Sequence, residues 1–228
     1  MPLELRDVDR DTNFSALARC LFEGYEDPPQ PFFHAWFPIF GPSLQDREAS
    51  LTEAANRLRD WNNDQPITHQ TSVWKKVVDT ETGVIAGASL WKIYSEDPFR
   101  EEQRIQAKWF PEGGARLWVE KMIEEHDRPR KARGRKLSKI LIDLFILFTH
   151  PTYRRRGVAQ QSLNWGKNEA DSLGVEIFLD ATPFLQVGEN MVVPDIDESK
   201  KKDDEWRDIE RRIGPACFTL MWRPVYKV

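Results

Sequence analysis

The sequence has few cysteines, no long uninterrupted apolar stretch and little excess of charge. Only Cys20 and Cys217 are cysteines among its 228 residues, which favours two free thiols in a reducing compartment over a disulfide. The longest apolar run, residues 137–148, is too short to cross a bilayer and contains Lys139 and Asp143. The opening residues MPLELRDVDRD lack the apolar core of a signal peptide. We therefore expect a cytoplasmic protein, with nuclear presence left open, and no membrane partner.

The charge and composition narrow the class of protein further. The formal net charge of −4 gives no overall attraction to nucleic acid, and no cluster of His, Cys, Asp or Glu has the spacing of metal ligands. Nine tryptophans and thirteen phenylalanines indicate large apolar surfaces in a core or a pocket. We expect one domain over 1–228, as a monomer or homodimer, with polar insertions at about 96–136 and 195–212.

Hydrophobic periodicity predicts strands and helices in the order β-α-α-β-β-β-α-β-(α)-β. The strands are predicted at 3–8, 69–79, 84–94, 138–149, 175–180 and 216–225, and the main helices at 12–24, 44–62 and 157–173. A further helix is predicted at 111–125, inside the first insertion. Residues 28–42 contain too many prolines for a regular element. The basic run 128–136 could suggest nuclear targeting or nucleic-acid binding, but a solvated loop is favoured.

The segment His150–Ala159, HPTYRRRGVA, joins the most strand-like run to a helical pattern. A glycine-bearing turn between a strand and a helix directs several backbone N–H groups at one point, where the helix dipole adds positive charge. Three consecutive arginines make this turn attractive to a pyrophosphate. The alternative is a basic helix N-terminus that is merely solvated. A nucleotide P-loop is excluded because the chain has no G-x-x-x-x-G-K-[ST].

The spacing Arg154-x-x-Gly157-x-Ala159 resembles the (Gln/Arg)-x-x-Gly-x-(Gly/Ala) signature of the GCN5-related N-acetyltransferase (GNAT) superfamily. The resemblance implies an α/β fold with a central mixed sheet flanked by helices, and acetyl-CoA as the acyl donor. It also implies that the amides of Leu147, Phe148 and Thr149 act as an oxyanion hole. The full set of implied cofactor-binding residues is Leu147, Phe148, Thr149, Arg154, Arg155, Arg156, Gly157, Val158, Ala159 and Gln160. The segments WKKVVDTETGVIAG and MWRP are similar to a largely fungal branch of the family.

Residues 138–149 separate into two unlike faces when every second residue is taken. The even positions from Ile140 to Phe148 are all apolar, and we expect them to pack together under helices. The odd positions include Asp143, which stands eleven positions before Arg154. A glutamate at that position is the general base in the histone acetyltransferases of the family, so the resemblance implies the same role for Asp143. The alternative is a structural aspartate that pairs with Lys92 or Lys139.

Two further predictions concern the amine and the leaving thiol. The aromatic residues Phe32, Phe33, Trp36 and Phe37 lie where the family has its acceptor wall, although they could equally fold into the core. The family often supplies a tyrosine after the strand VEIFLD to protonate the thiolate, but this chain has none between Tyr153 and Tyr226. The general acid is therefore unassigned, and water could supply the proton.

Together these features predict an N-acetyltransferase that moves an acetyl group from acetyl-CoA to a primary amine of a small molecule. Two alternatives stay open. One is acetylation of lysine in a protein such as a histone, and the other is a non-catalytic module that binds acyl-CoA.

Overall fold

The computed structural model describes residues 2–9, 11–61, 70–96, 106–134, 141–181, 202–214 and 219–223. The helices are α1 (Phe14–Glu26), α2 (Phe33–Trp36), α3 (Leu44–Asp60), α4 (Gly114–Gly134), α5 (Val158–Leu173) and α6 (Asp204–Ile213). The strands are β1 (Leu3–Asp7), β2 (Gln70–Asp79), β3 (Ile85–Tyr94), β4 (Leu141–Thr149), β5 (Glu176–Ala181) and β6 (Thr219–Arg223). No described helix is long and apolar enough to cross a membrane.

The strands form one six-stranded sheet in the order β1-β2-β3-β4-β5-β6. All neighbouring strands are antiparallel except β4 and β5, which are parallel and joined by α5. The predicted α/β class with a mixed sheet is confirmed. Cys20 is a buried free thiol, whereas Cys217 lies outside the described residues.

Two local predictions are wrong. The proline-rich segment 28–42 contains one helical turn, α2. The amide of its first residue, Phe33, donates to the Gln30 carbonyl, and the turn ends before Pro38. The basic run is also helical as far as Gly134, because α4 continues through it instead of ending near residue 125. Most of its residues are Arg, Lys and Ala, which are good helix formers. Residues 135 and 136 lie outside the described part.

Helices cover the two faces of the sheet. On one face α1 and α3 bury an apolar cluster that includes Phe14, Leu21 and Leu58. On the other face α5 packs against Trp91 and Ile142 of the sheet. The helix α3 begins at a capping box, in which the Ser43 side chain accepts from the Asp46 amide and the Asp46 carboxylate accepts from the Ser43 amide. The apolar faces of α1 and α5 therefore cover the two faces of the sheet.

The two polar insertions form a core of their own. Trp118, Met122 and Ile123 of α4 are buried against Trp206 and Ile209 of α6. Each of these side chains is at most 1% exposed. The insertions are polar in composition, yet α4 and α6 bury an apolar face between them.

A β-bulge changes the two faces predicted for β4. Leu90 pairs with Ile146 and the next residue of β3, Trp91, pairs with Leu144, so Phe145 is an extra residue on β4. Before the bulge Ile142 and Leu144 pack on the α5 side, and after it Ile146 and Phe148 pack on the α1 side. The prediction that the even residues share one face is therefore wrong, because the extra residue exchanges the faces.

The bulge also marks the place where β4 and β5 separate. Their pairing ends at Leu144 and Leu179, although β4 continues to Thr149 and β5 to Ala181. Beyond this point β5 continues its pairing only with β6. Among the described residues, the backbone of β4 from Phe145 onward therefore has no partner strand on that side, and a cleft lies at the end of this stretch.

Candidate active site

The cleft lies at the C-terminal end of β4 and has a volume of about 370 Å³. Its lining residues are Gly24, Tyr25, Gln30, Leu147, Phe148, Thr149, Tyr153, Arg154, Arg155, Gly157, Val158, Ala159 and Gln160. The structure thus brings together all the cofactor-binding residues predicted from the sequence except Arg156. An open cleft at the carboxyl end of a strand is a common position for a ligand site in α/β proteins.

Backbone amides at the start of α5 have no hydrogen-bond acceptor in the part of the chain that the structure describes. The Arg154 amide donates to Pro151, and the next amide with an acceptor in the described structure is that of Gln161, which donates to Gly157. Six consecutive amides, residues 155–160, lie between them. Gly157 has φ +85°, and a Cβ there would have nothing within 4 Å, so the turn opens to the cleft. Free amides and the positive end of a helix together form a seat for an anion.

The three arginines of the turn have different surroundings. The Nη2 atom of Arg154 donates to the Gly24 carbonyl at 2.7 Å, so this side chain ties the turn to the end of α1. Arg156 lies over the ring of Tyr153, with its guanidinium carbon 5.0 Å from the ring centroid. Arg155 is exposed and has φ +56°, a left-handed conformation that is uncommon outside glycine. Only Arg154 and Arg155 line the cleft.

The turn is anchored to the β2–β3 hairpin by a buried pair. The Tyr153 hydroxyl donates to the Asp79 carboxylate at 3.0 Å, and Asp79 is fully buried. Burial raises the pKa of Asp79. Hydrogen bonds from the amides of Glu81 and Thr82 and from Tyr153 outweigh burial and hold the pKa of Asp79 below its ordinary value of 3.8.

Replacing Tyr153 tests this anchor. The folded-state pKa of Asp79 is depressed, so its stabilising effect is complete above the unfolded pKa, ~3.9, and is lost as the pH falls through the folded-state value. We expect Tyr153→Phe to lower Tm at pH 7, and the difference from the wild type to shrink as the pH falls below 3.8. Thermal unfolding from pH 2 to pH 8 measures it, and a difference independent of pH would contradict the anchor.

The backbone of β4 presents alternating groups to the cleft. The His150 amide donates to Ala86 on β3 at 3.0 Å. Because backbone groups alternate along a strand, Phe148 also directs its amide to β3, whereas Leu147 and Thr149 direct theirs to the open side. Of the three amides predicted to form the oxyanion hole, only those of Leu147 and Thr149 are therefore directed to the open side. Phe148 lies in the cleft wall but directs its amide to β3.

Sequence reasoning missed Tyr25, the last aromatic residue of α1. Its hydroxyl donates to the Leu147 carbonyl at 3.4 Å, and its ring stacks on Phe33 with centroids 4.9 Å apart. Burial raises the pKa of Tyr25 to about 12, so the hydroxyl keeps its proton at neutral pH. No local pattern marks this residue, since it meets Leu147 across 122 positions of sequence.

Asp143 lies on β4 before the bulge and is 5% exposed. Its direct neighbour across the β3–β4 pair is Lys92, whose ammonium nitrogen lies 3.8 Å from the Phe145 ring centroid. Asp143 is not among the residues that line the cleft. Its place opposite Lys92 agrees with the structural interpretation, and its role as a general base stays a prediction. The other predicted partner, Lys139, lies outside the described residues.

The predicted acceptor wall is largely part of the core. Phe33 and Phe37 are 2% and 3% exposed and belong to the cluster beneath α1 and α3. Phe32 and Trp36 are partly buried against the core of the insertions. None of the four lines the cleft. The four residues follow one another around a single helical turn, so their rings are directed to different sides. Some therefore enter the core beneath α1 and α3, and others pack against the core of the insertions.

Metal ligands are not grouped in the described ranges. No set of three or more His, Cys, Asp or Glu side chains there could hold a metal ion.

Comparison with known proteins identifies the fold. No protein-family model matches the sequence, and a search of curated proteins gives no match. Solved structures do match. The provisionally assigned arylalkylamine N-acetyltransferase 7 of the yellow fever mosquito has a TM-score of 0.53 at 11% identity, over 93% of this chain and 72% of that chain.

Two other matches have lower scores. A structure described as histone acetyltransferase HPA2 and related acetyltransferase, from Corynebacterium glutamicum, has a TM-score of 0.49 at 16% identity, over 100% of this chain and 99% of that chain. The polyamine N-acetyltransferase of Drosophila melanogaster has a TM-score of 0.48 at 14% identity, over 80% of this chain and 77% of that chain. The likeness to the mosquito protein and the strand order give this chain the fold of the GNAT acetyltransferases.

Proposed function

We propose that this protein is an N-acetyltransferase that moves an acetyl group from acetyl-CoA to the primary amine of a small molecule. The observation that carries the proposal is the cleft at the C-terminal end of β4, where the first backbone amides of α5 have no acceptor among the described residues. Such amides match the oxygens of a diphosphate, and the open side of β4 matches the amide groups of a pantetheine arm.

The residues present fit a CoA thioester. The amides of residues 155–160 would hold the diphosphate, with Arg155 at the rim of the cleft. The open backbone of Leu147 and Thr149 would bind the arm, and one of their amides would polarise the thioester carbonyl. When bound, acetyl-CoA supplies an activated acetyl group that a neutral amine can attack.

The amine must lose a proton, because an alkyl ammonium with a pKa of ~10.4 is protonated at neutral pH. We propose that Asp143 accepts this proton, directly or through a water molecule. Its side chain is 5% exposed, and Lys92 is its direct neighbour across the β3–β4 pair. We expect a large loss of kcat/KM when Asp143 is replaced by asparagine.

Tyr25 is the proposed proton donor for the leaving sulfur. Its hydroxyl lies against Leu147 in the cleft wall, keeps its proton over the physiological pH range, and is held by the stack on Phe33. The phenol Oη would deliver its proton as negative charge develops on sulfur, and would regain a proton from water. This assignment fills the role of the family tyrosine, which this sequence lacks between Tyr153 and Tyr226.

Tyr25→Phe removes only the hydroxyl and retains the ring stack. We expect kcat to fall about 10-fold or more, since a hydrogen bond to a charged atom contributes about 1.5–3 kcal/mol. The calorimetric Kd for acetyl-CoA should change little. Tyr94→Phe, on β3 outside the cleft lining, serves as the matched control. An unchanged kcat for Tyr25→Phe would remove Tyr25 from the mechanism.

A thiol-release screen tests the function itself. Acetyl-CoA is offered with arylalkylamines, polyamines, amino acids and histone peptides, and free CoA thiol is measured. We expect release with at least one small amine and none with peptides alone. Release only with peptides would favour the protein acetyltransferase, and calorimetric binding without any release would favour a non-catalytic module. The assignment to a fungal branch and the cytoplasmic location stay predictions.

A further inference from the structure

A second cavity lies beside α3, at the guanidinium of Arg57. This Arg57 pocket has a volume of about 220 Å³. Phe37, Pro38, Phe40 and Trp109 form its apolar walls, and α3 supplies the remainder: Asp46, Ala49, Ser50, Glu53, Ala54 and Arg57. One of its walls, Phe40, is 62% exposed, so the cavity has an open side.

The Arg57 guanidinium is enclosed by aromatic rings. Its central carbon lies 4.2 Å from the ring centroid of Trp109, 5.0 Å from that of Phe37 and 5.5 Å from that of Trp61. Its Nη1 atom donates to the Trp36 carbonyl. Its Nη2 atom is buried and has no hydrogen-bond partner among the described residues. One face of the guanidinium is therefore packed, and one N–H group is left without an acceptor.

Arg57 also lacks an anionic partner. No carboxylate in the described part of the chain forms an ion pair with it. Burial lowers the pKa of Arg57 to about 10, against a smaller opposing effect of Glu53, so the group is still protonated at pH 7. A desolvated cation with an unused donor is costly, and proteins usually pair such a group.

The other charged groups of the pocket leave this place open. The Asp46 carboxylate is engaged by the amide and the hydroxyl of Ser43, at 3.0 and 2.5 Å. Glu53 also lines the pocket, but its side chain is exposed and it forms no ion pair with Arg57 among the described residues. A ligand that suits the pocket therefore has an anionic oxygen for Arg57 and a flat apolar body for the aromatic walls.

The Arg57 pocket is separate from the cleft of the proposed acetyl transfer. Phe37, in the pocket wall, stacks on Phe33 with centroids 5.1 Å apart, and Phe33 stacks on Tyr25 of the cleft. The linings of the pocket and of the cleft share no residue.

We propose that the Arg57 pocket is a binding site for a small aromatic carboxylate, whose anionic group pairs with the Arg57 guanidinium at the pocket wall while the ring lies against Trp109 and Phe40. The inference does not depend on the proposed acetyltransferase activity. The carboxylate gives the cation the partner that the protein does not supply.

Calorimetry on the full chain with benzoate and its neutral analogue benzamide tests the proposal. We expect saturable 1:1 binding of benzoate with a Kd of about 1 mM or tighter, and binding of benzamide at least about 10-fold weaker. Arg57→Lys should weaken benzoate at least about 10-fold, because a lysine ammonium cannot present the same planar donors. Arg59→Lys, on the same helix but outside the pocket lining, should bind benzoate like the wild type.

The wild-type comparison decides the outcome even if Arg57→Lys proves unstable. No saturable binding of benzoate, or equal binding of benzoate and benzamide, overturns the proposal. If both arginine variants fold and bind benzoate equally, Arg57 is not the anchor and the proposal fails as well. Retained acetyl-CoA binding in Arg57→Lys would show separately that the cleft is intact.

Discussion

Gly157→Val should weaken acetyl-CoA binding at least about 100-fold while the chain stays folded. Gly157 caps α5 with φ +85°, a backbone conformation that a β-branched residue adopts only at a cost of about 1–2 kcal/mol. If the backbone at position 157 relaxes from the left-handed conformation, the first amides of α5 no longer point at one place. A valine side chain would also stand in the open space from which a diphosphate must approach. Isothermal titration with acetyl-CoA measures the loss.

The opposite end of the same helix offers a matched control. Gly174 is also left-handed, with φ +65°, and a Cβ there would likewise have nothing within 4 Å. Gly174→Val should therefore lose a similar free energy of unfolding but bind acetyl-CoA with the wild-type Kd. If both variants lost binding equally, the cause would be general destabilisation and not the amides at the start of α5.

Asp143→Asn should lower kcat/KM for the amine about 100-fold or more, the usual range for loss of a general base. The side chain stands on β4 before the bulge and is 5% exposed. The asparagine variant keeps the volume and removes the basic oxygen. Because an amine that is already neutral needs no base, the loss should shrink as the pH approaches the pKa of the acceptor amine.

Lys92 separates the catalytic interpretation of Asp143 from the structural one. If Asp143 serves only as the cross-strand neighbour of Lys92, both Asp143→Asn and Lys92→Met should lower Tm, and the double variant should lose less than the sum. In that case kcat/KM of a folded Asp143→Asn variant would equal that of the wild type. A large loss of kcat/KM with little change in Tm supports the base.

The sequence predicts those parts of the fold and the site that depend on neighbouring residues. Strand and helix positions follow from periodicity, and the turn from Arg154 to Ala159 is recognisable because its amides and its glycine belong to one short segment. The structure gathers these residues at the cleft as predicted, with the exception of Arg156.

Features that depend on distant packing could not be predicted in the same way. The bulge at Phe145 arises from the register between β3 and β4, so the face of each residue after it cannot be read from alternation alone. Phe33 and Phe37 enter the core because α3 covers them, which no local pattern reveals. Tyr25 reaches the cleft only because α1 ends beside Leu147.

The most direct measurement is a calorimetric titration of the folded protein with acetyl-CoA and with S-acetylpantetheine, which lacks the diphosphate. If the amides of residues 155–160 hold that diphosphate, acetyl-CoA binds at a 1:1 ratio and S-acetylpantetheine binds at least about 100-fold more weakly. Absence of heat with every CoA derivative, or equal affinity for the two thioesters, would contradict the account.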